Sequence, residues 1–299
     1  MNGYRSFSDE MKTLFGTKVY RLSLSSGCTC PNRDGTLGTG GCTFCSEGGS
    51  GDFAAPFLPL EEQIRLAKAR VEHKCKSGKY LAYFQSFTNT YGDTARLTDL
   101  YRKVISMPEI VGLSVGTRPD CLEQDKVEML AELNEAKPVW TELGLQTIHE
   151  KTAVRIHRGY ELPVFEDACM RLKKAGLRVV VHVILGLPGE SREEMLETIR
   201  YLAALNPVPD GIKLQLLHIL EGTQLAEEYR KAPFPLMSLE EYADLICDCI
   251  ALLPKETTIH RLTGDGPKKL LIAPMWSADK KKVLNYLQKA ILKNLSVSD

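Results

Sequence analysis

Six short apolar or alternating runs, separated by stretches with helical spacing, constrain the fold of this chain most. The runs are 19–24, 80–84, 111–116, 139–145, 178–185 and 211–219. The helix-like stretches between them are 60–76, 97–106, 125–135, 164–175 and 192–205. Strands that are apolar on both faces are typical of parallel sheets covered by helices, and right-handed crossovers then allow an open doubly wound sheet or a barrel. We predict an α/β fold, a partial (βα)6 TIM-like barrel.

The pattern changes in the last quarter of the chain. Helix-like segments at 238–253 and 280–295 flank a short apolar run at 270–273. No linker rich in Gly, Ser or Pro separates this part from the preceding one, as would be usual between independent domains. We therefore predict a barrel over 1–220 and a mainly helical C-terminal extension over 221–299 packed on it.

The glycine-rich loop 25–51, after the first predicted strand, contains four of the nine cysteines: Cys28, Cys30, Cys42 and Cys45. An odd number of cysteines in a chain of 299 residues is unlike the small disulfide-stapled domains of secreted proteins. Thiolates bind soft metals, and Cys42 and Cys45 can clamp one metal centre from a single turn. The loop predicts a metal site.

Two kinds of metal site are compatible with these thiols. Four thiols could close a tetrahedral zinc site, and the protein would then be a non-catalytic interaction protein. Three thiols would hold a four-iron cluster and leave one iron open. The loop leaves the end of a strand in a βα array, where such folds place their chemistry, and this position favours the catalytic cluster.

Several phrases of the sequence carry a resemblance to a known family. Residues 30–35 read Cys-Pro-Asn-Arg-Asp-Gly, and Phe44 precedes the last cysteine of the loop. Further phrases of the same kind are 49–53, 82–90, 117–121, 142–147, 186–189 and 260–265. Together they resemble the radical S-adenosylmethionine (SAM) enzymes of the YhcC/YtqA-type branch, relatives of the elongator-type radical SAM domain. The resemblance covers nearly the whole chain, although eleven residues separate Cys30 from Cys42 where the usual family signature has three.

The resemblance implies two cofactors, a [4Fe-4S] cluster and SAM. Cys30, Cys42 and Cys45 would hold the cluster, and Cys28 would be an additional neighbour. The open iron would bind SAM, whose reductive cleavage gives a 5′-deoxyadenosyl radical. An electron donor such as flavodoxin or ferredoxin is implied as a partner.

The resemblance also implies a set of SAM-binding residues: Gln85, Glu142, Gln146, Arg158, Gly186 and Leu187. Alternation along the fourth strand sends Glu142 and Gln146 to the same face. By the resemblance, Arg158 would pair with the SAM carboxylate, and adenine would lie at 186–189. The plainer interpretations are a surface arginine and an ordinary turn.

Four further residues are candidates to face the substrate: Arg118, Asp120, Lys213 and His218. Arg118 and Asp120 flank Pro119 at the end of the third strand, where they form a structural salt bridge or orient substrate. His182 lies within the apolar fifth strand, and we interpret it as a structural residue because strand histidines usually are.

The charge pattern bears on the substrate. Lys and Arg together number 38, as do Asp and Glu, which excludes a strong overall field that would attract nucleic acid. Residues 268–293 nevertheless contain seven lysines and one acid around Trp276 and Tyr286, which is typical of an RNA-binding segment or of a solvated helix. Elongator-type radical enzymes act on the tRNA wobble uridine, so the resemblance implies tRNA as substrate and remodelling of the 5-substituent. A small metabolite is the alternative substrate.

The sequence does not predict a membrane-bound protein. No stretch approaches 18 uninterrupted apolar residues, and Glu10 and Lys12 lie where a signal peptide would need its apolar segment. We predict a cytoplasmic protein with no membrane partner.

Overall fold

The fold is known from a computed structural model, which describes residues 3–49, 54, 57–264 and 266–298. Residues 50 and 51 of the predicted cysteine loop lie outside the described residues. So do residues 50–53 of the phrase 49–53 and Asp265 of the phrase 260–265.

The centre of the molecule is a parallel sheet of seven strands in the order β1-β2-β3-β4-β5-β6-β8. These strands are β1 (Tyr20–Leu24), β2 (Tyr80–Phe84), β3 (Ile110–Thr117), β4 (Val139–Gln146), β5 (Arg178–Leu185), β6 (Gly211–Leu216) and β8 (Thr258–Arg261). Two further strands, β7 (Ile219–Leu220) and β9 (Leu271–Ala273), form a separate antiparallel pair. The sheet curls into a half-barrel, which confirms the predicted partial TIM-like barrel.

Ten helices surround the sheet within the described residues. They are α1 (Phe7–Phe15), α2 (Leu60–Ala69), α3 (Thr94–Ser106), α4 (Gln124–Ala136), α5 (Glu150–Arg155), α6 (Leu162–Lys174), α7 (Arg192–Ala204), α8 (Gln224–Lys231), α9 (Leu239–Leu252) and α10 (Lys280–Ser298). Helix α7 begins where Ser191 and Glu194 form a capping box. None of the helices in the described part is both long enough and apolar enough to cross a membrane.

The two faces of each strand have different surroundings. On β4, Leu143 and Leu145 belong to the main apolar core, which the sheet shares with the helices. Their neighbours Glu142, Gly144 and Gln146 point the other way and line a cavity. Alternation therefore places polar side chains inside the barrel, as the sequence predicts.

One predicted strand boundary differs from the structure, and one strand of the sheet was not predicted. The run 211–219 is one strand in the prediction, but β6 ends at Leu216 and the chain turns before β7. Strand β8 lies in the predicted extension and pairs in parallel with β6. The four residues of β8 are too few for periodicity to reveal them. The division of the chain at residue 220 stays a prediction.

Candidate active site

A cavity of about 210 Å³ opens at the carboxyl ends of the strands. Most of the predicted site residues line it: Cys30, Cys42, Cys45, Gln85, Arg118, Glu142, Gln146, Arg158 and His218. The other predicted residues, Asp120, Gly186, Leu187 and Lys213, are not part of its lining. This edge of a βα barrel is where such folds carry their active sites.

The cysteine loop is held in shape by two polar side chains. Arg33 donates to the carbonyl oxygens of Cys45 and Ser46, at 3.0 and 2.6 Å. Asn32 Nδ2 donates to the carbonyl oxygen of His157 at 2.7 Å. Gly41 has φ +75°, and a Cβ there would lie 2.9 Å from Arg33 Nε, so only glycine fits beside this clamp.

The three predicted ligands share one environment. Cys30, Cys42 and Cys45 are all partly exposed and line the cavity. Burial, followed by the neighbouring Cys45, raises the pKa of Cys42 to about 12, against the opposing charge of Arg118. Cys42 is therefore a thiol in the free protein and must lose its proton when a metal binds.

Cys28 has a different environment. It is buried, its Sγ accepts a hydrogen bond from Arg96 at 3.2 Å, and it is not part of the cavity lining. This separation agrees with a site of three thiols, although the choice of ligands stays a prediction.

The three thiols are arranged around the cavity and not around a point. Among the described residues, no group of three His, Cys, Asp or Glu side chains converges where a single ion would bind. A tetrahedral ion needs such convergence. A cubane does not, because each thiolate binds a different iron.

Five polar side chains, one from each of β2 to β6, meet inside the barrel below the thiols: Tyr83, Ser114, Glu142, His182 and Lys213, here called the lumen layer. Glu142 joins them. Its Oε1 accepts from Ser114 at 2.7 Å, and its Oε2 accepts from His182 Nε2 at 2.8 Å and from Lys213 Nζ. Lys213 also donates to the Tyr83 hydroxyl at 2.7 Å. The layer is a connected network with Glu142 and Lys213 almost wholly buried.

The charges of the lumen layer fix its protonation. Burial alone would raise the pKa of Glu142, but Lys213 and His182 outweigh it and hold this pKa well below its usual range. Burial, together with the charge of Lys213, lowers the pKa of His182 to about 4. At neutral pH the layer therefore contains an ionised glutamate and a neutral imidazole.

The lumen layer changes the interpretation of two residues. The predicted cofactor contact Glu142 has both carboxylate oxygens engaged within the layer, so its role toward SAM stays a prediction. His182, which the sequence suggests is structural, lines the cavity with its side chain 18% exposed. Sequence reasoning missed it as a functional candidate.

Gln146 ends β4 in an unusual conformation. Its φ is +70°, which is uncommon outside glycine and asparagine, and the β4–β5 register shifts next to it. Its buried Oε1 has no hydrogen-bond partner among the described residues. A strained residue with an unsatisfied acceptor beside a cavity is typical of a ligand contact.

Arg118 and Asp120 form the predicted ion pair. Arg118 Nε and one terminal nitrogen lie 2.9 and 2.7 Å from the two Asp120 oxygens, a bidentate arrangement. The other terminal nitrogen donates to the carbonyl oxygen of Arg158 at 2.8 Å, and the guanidinium lies 5.2 Å from the centre of the Tyr160 ring. Arg118 lines the cavity, whereas Asp120 lies outside the lining and orients the Arg118 guanidinium through the ion pair.

Arg158 is buried, with each guanidinium nitrogen bound to a protein group. It donates to the carbonyl oxygens of Tyr160 and Thr147 at 2.9 and 2.7 Å, and to Glu150 Oε2 at 2.8 Å. These contacts tie the end of β4 to α5. Its predicted pairing with the SAM carboxylate stays a prediction.

None of residues 186–189, the predicted adenine site, lines the cavity. Gly186 has φ +89°, and Leu187 is buried in a second apolar cluster with Ile184 and Leu217. Of these residues, Ile184 and Leu217 line the cavity and form an apolar wall. Leu187 supports that wall from behind.

The basic segment lies on the surface and begins near the cavity edge. Its seven lysines are exposed: Lys268, Lys269, Lys280, Lys281, Lys282, Lys289 and Lys293. Trp276, just before α10, donates to the carbonyl oxygen of Met237 at 3.0 Å, and Met237 Cε lies 2.9 Å from where a Cβ on Gly186 would be. At the other end of α10, Leu295 packs against Gly3, which precedes α1. Helix α10 therefore runs from the neighbourhood of Gly186 toward the start of α1.

Comparison with known proteins gives matches over most of the chain. Residues 29–202 match the model of the Radical SAM superfamily, and residues 209–293 match that of the Radical_SAM C-terminal domain. Uncharacterized protein YtqA of Bacillus subtilis is 44% identical, over 96% of this chain and 89% of its own length. Protein YhcC of Escherichia coli is 37% identical, over 90% of this chain and 86% of its own length.

More distant similarity extends to elongator-type proteins. The tRNA uridine(34) acetyltransferase of Methanocaldococcus infernus is 27% identical over 54% of this chain and 30% of its own length. The structure of Elp3 from the same organism superimposes with a TM-score of 0.65 at 20% identity. That match covers 91% of this chain and 63% of the Elp3 chain, and it shows a shared fold.

Proposed function

Because the chain belongs to the Radical SAM superfamily, we propose that it is an enzyme that uses a [4Fe-4S] cluster and SAM to modify the 5-substituent of the tRNA wobble uridine. The observation that carries the proposal is the cavity that three thiols, Gln146 with its unsatisfied oxygen, and Tyr83, Glu142 and His182 of the lumen layer all line. A cytoplasmic location and an external electron donor such as flavodoxin or ferredoxin are part of the proposal.

The residues at the cavity fit both cofactors. Cys30, Cys42 and Cys45 supply the thiolates that a cubane requires, and Cys28 is engaged elsewhere. The Gln146 oxygen would accept a hydrogen bond from SAM, whose amino group and ribose hydroxyls are donors. When bound, the reduced cluster supplies the electron that cleaves SAM into methionine and a 5′-deoxyadenosyl radical.

The protein would supply orientation and exclusion of water. Arg33 and Asn32 fix the loop that presents the thiols, and Arg118 brings a positive charge toward Cys30 and Cys42. Ile184 and Leu217 form an apolar wall that would shield a reactive species from solvent.

Two observations support tRNA as the substrate. The name of the M. infernus relative describes an enzyme acting on tRNA uridine 34, and its similarity to this chain covers about half of the chain. The exposed lysines of the basic segment, residues 268–293, begin two residues after Gly266, which lines the cavity, and phosphates of a bound RNA would lie there.

Nucleoside mass spectrometry tests the proposal. We expect tRNA from cells lacking this protein to accumulate a different 5-substituted wobble uridine from that of wild-type cells. The purified enzyme with SAM and reductant should convert one into the other while 5′-deoxyadenosine forms. If both tRNA profiles stay unchanged while 5′-deoxyadenosine forms with a small metabolite, the RNA substrate is wrong and the metabolite alternative is right.

A further inference from the structure

The lumen layer presents a hydrogen-bond acceptor to the cavity through His182. Its Nε2 lies 2.8 Å from Glu142 Oε2, and because an ionised carboxylate can only accept, Nε2 carries the hydrogen. In a neutral imidazole the other nitrogen, Nδ1, is then an acceptor. Nδ1 has no hydrogen-bond partner among the residues that the structure describes.

The surroundings of His182 determine what this acceptor can do. Lys213 lies below the imidazole and Arg261 of β8 lines the same cavity, and both charges oppose protonation. Burial and these charges lower the pKa of His182 to about 4, so Nδ1 is a poor proton acceptor at neutral pH. It remains an acceptor of hydrogen bonds from a neutral donor.

The charge of Arg261 also limits the ligand. A positively charged ammonium donor would be repelled by Arg261, whereas a neutral N–H group flanked by carbonyl oxygens would be favoured. The imide of uracil has this pattern, since N3–H lies between two carbonyl groups. Cytosine has an acceptor at N3, so its lone pair would face the lone pair of His182 Nδ1.

We propose that His182, oriented by Glu142, accepts a hydrogen bond from N3–H of a uracil base turned out of the RNA into the cavity. This proposal rests on the proposed function, because it assigns the residue that distinguishes uracil from cytosine at the same site. Enzymes that modify a base commonly read its Watson–Crick edge after such extrusion.

The test measures binding of three anticodon stem-loop RNAs to the cluster-containing enzyme. They differ at the wobble position, which carries uridine, cytidine or 3-methyluridine. The wild-type enzyme should bind the uridine stem-loop about tenfold more tightly than either of the others, as expected for loss of one buried hydrogen bond. Equal binding of uridine and 3-methyluridine would overturn the proposal without any protein variant.

Two variants locate the effect at His182. His182→Gln keeps an N–H near Nε2 for Glu142 but removes the acceptor at Nδ1, so the preference for uridine should disappear. His182→Asn places an amide oxygen near Nδ1 and should keep part of the preference.

The outcomes separate this proposal from the proposed function. A tenfold preference retained by His182→Gln would overturn the assignment while leaving tRNA as the substrate. Loss of SAM cleavage in this variant without RNA would assign His182 to the cofactor, which also overturns it. Failure of the wild-type enzyme to bind any of the RNAs while it cleaves SAM would overturn the tRNA substrate and this proposal with it.

Discussion

Glu142 and Lys213 form an ion pair inside the barrel with relative exposures of 1% and 0%. Removing two charges from water is costly, and the remaining contacts of Glu142 with Ser114 and His182 offset part of that cost. Such a pair contributes little net stability, but removing either partner leaves the other charge buried without a counter-charge.

We expect Glu142→Gln to lower the free energy of unfolding by about 3–5 kcal/mol, because it leaves Lys213 buried without a counter-charge. Urea denaturation of the purified protein measures the change. Glu193→Gln is the matched control, since Glu193 and Arg200 form an exposed pair whose loss should barely change stability. Similar losses in the two variants would contradict this interpretation of the lumen layer.

His182 makes stability depend on pH. Its pKa is about 4 in the folded protein and about 6.5 in an unfolded chain, so the unfolded chain binds more protons between these values. Stability should therefore be full above pH 6.5 and fall as the pH drops toward 4. The loss is at most about 3 kcal/mol from this group.

Unfolding free energies measured between pH 7.5 and pH 4.5 check this dependence. The His182→Gln variant lacks the titrating group and should show a shallower slope over this range. Glu142 adds its own loss at lower pH, because its depressed pKa stabilises the fold above about pH 4.3. A slope unchanged in His182→Gln would mean that another group carries the effect.

Among the elements, the helices and strands differ in how clearly the sequence predicts them. The six predicted strands were recognisable because their core-facing residues are apolar, as Leu143 and Leu145 show. Strand β8 was missed because it has only four residues and two of them, His260 and Arg261, are polar. Helix α1 was missed because its start is polar, although Ser6 and Asp9 form a capping box that the sequence displays.

Helix α10 allows a test of the RNA surface. Lys280→Gln with Lys281→Gln should weaken tRNA binding and reduce the slope of log affinity against log salt by about 2, because each lysine would neutralise one phosphate. The pair Lys289→Gln and Lys293→Gln is the matched control, because it removes the same charge further along the helix, nearer the start of α1. Equal effects of both pairs would show a diffuse attraction without a defined surface.

For the whole molecule, the sequence predicts the barrel and the cysteine loop but not the network inside the barrel. The spacing of strands and helices depends on local periodicity, which a single sequence displays. The lumen layer depends on long-range contacts such as that between Tyr83 and Lys213, 130 residues apart. A signal was nevertheless present, since Glu142, His182 and Lys213 each interrupt an apolar strand, and together they mark one level of the barrel.

Strand β8, the last strand of the seven-stranded sheet, bears on the predicted division of the chain. A fragment of residues 1–220 would expose the edge of β6 and remove the contacts of Tyr242, Leu245 and Ile246 with the main core. We expect this fragment not to unfold cooperatively in circular dichroism melts, whereas the full chain should. A cooperative transition of the fragment would show that the predicted barrel is independent of the extension.

Metal analysis of the anaerobically reconstituted protein tests the central claim, that three thiols at the cavity hold a cubane. The wild-type protein and Cys28→Ser should each bind about four iron and four sulfide per chain and give the electron paramagnetic resonance signal of a reduced cubane. Cys30→Ser, Cys42→Ser and Cys45→Ser should each lose the cluster. One zinc per chain in the wild-type protein, absent from Cys28→Ser as from the other three variants, would contradict the account.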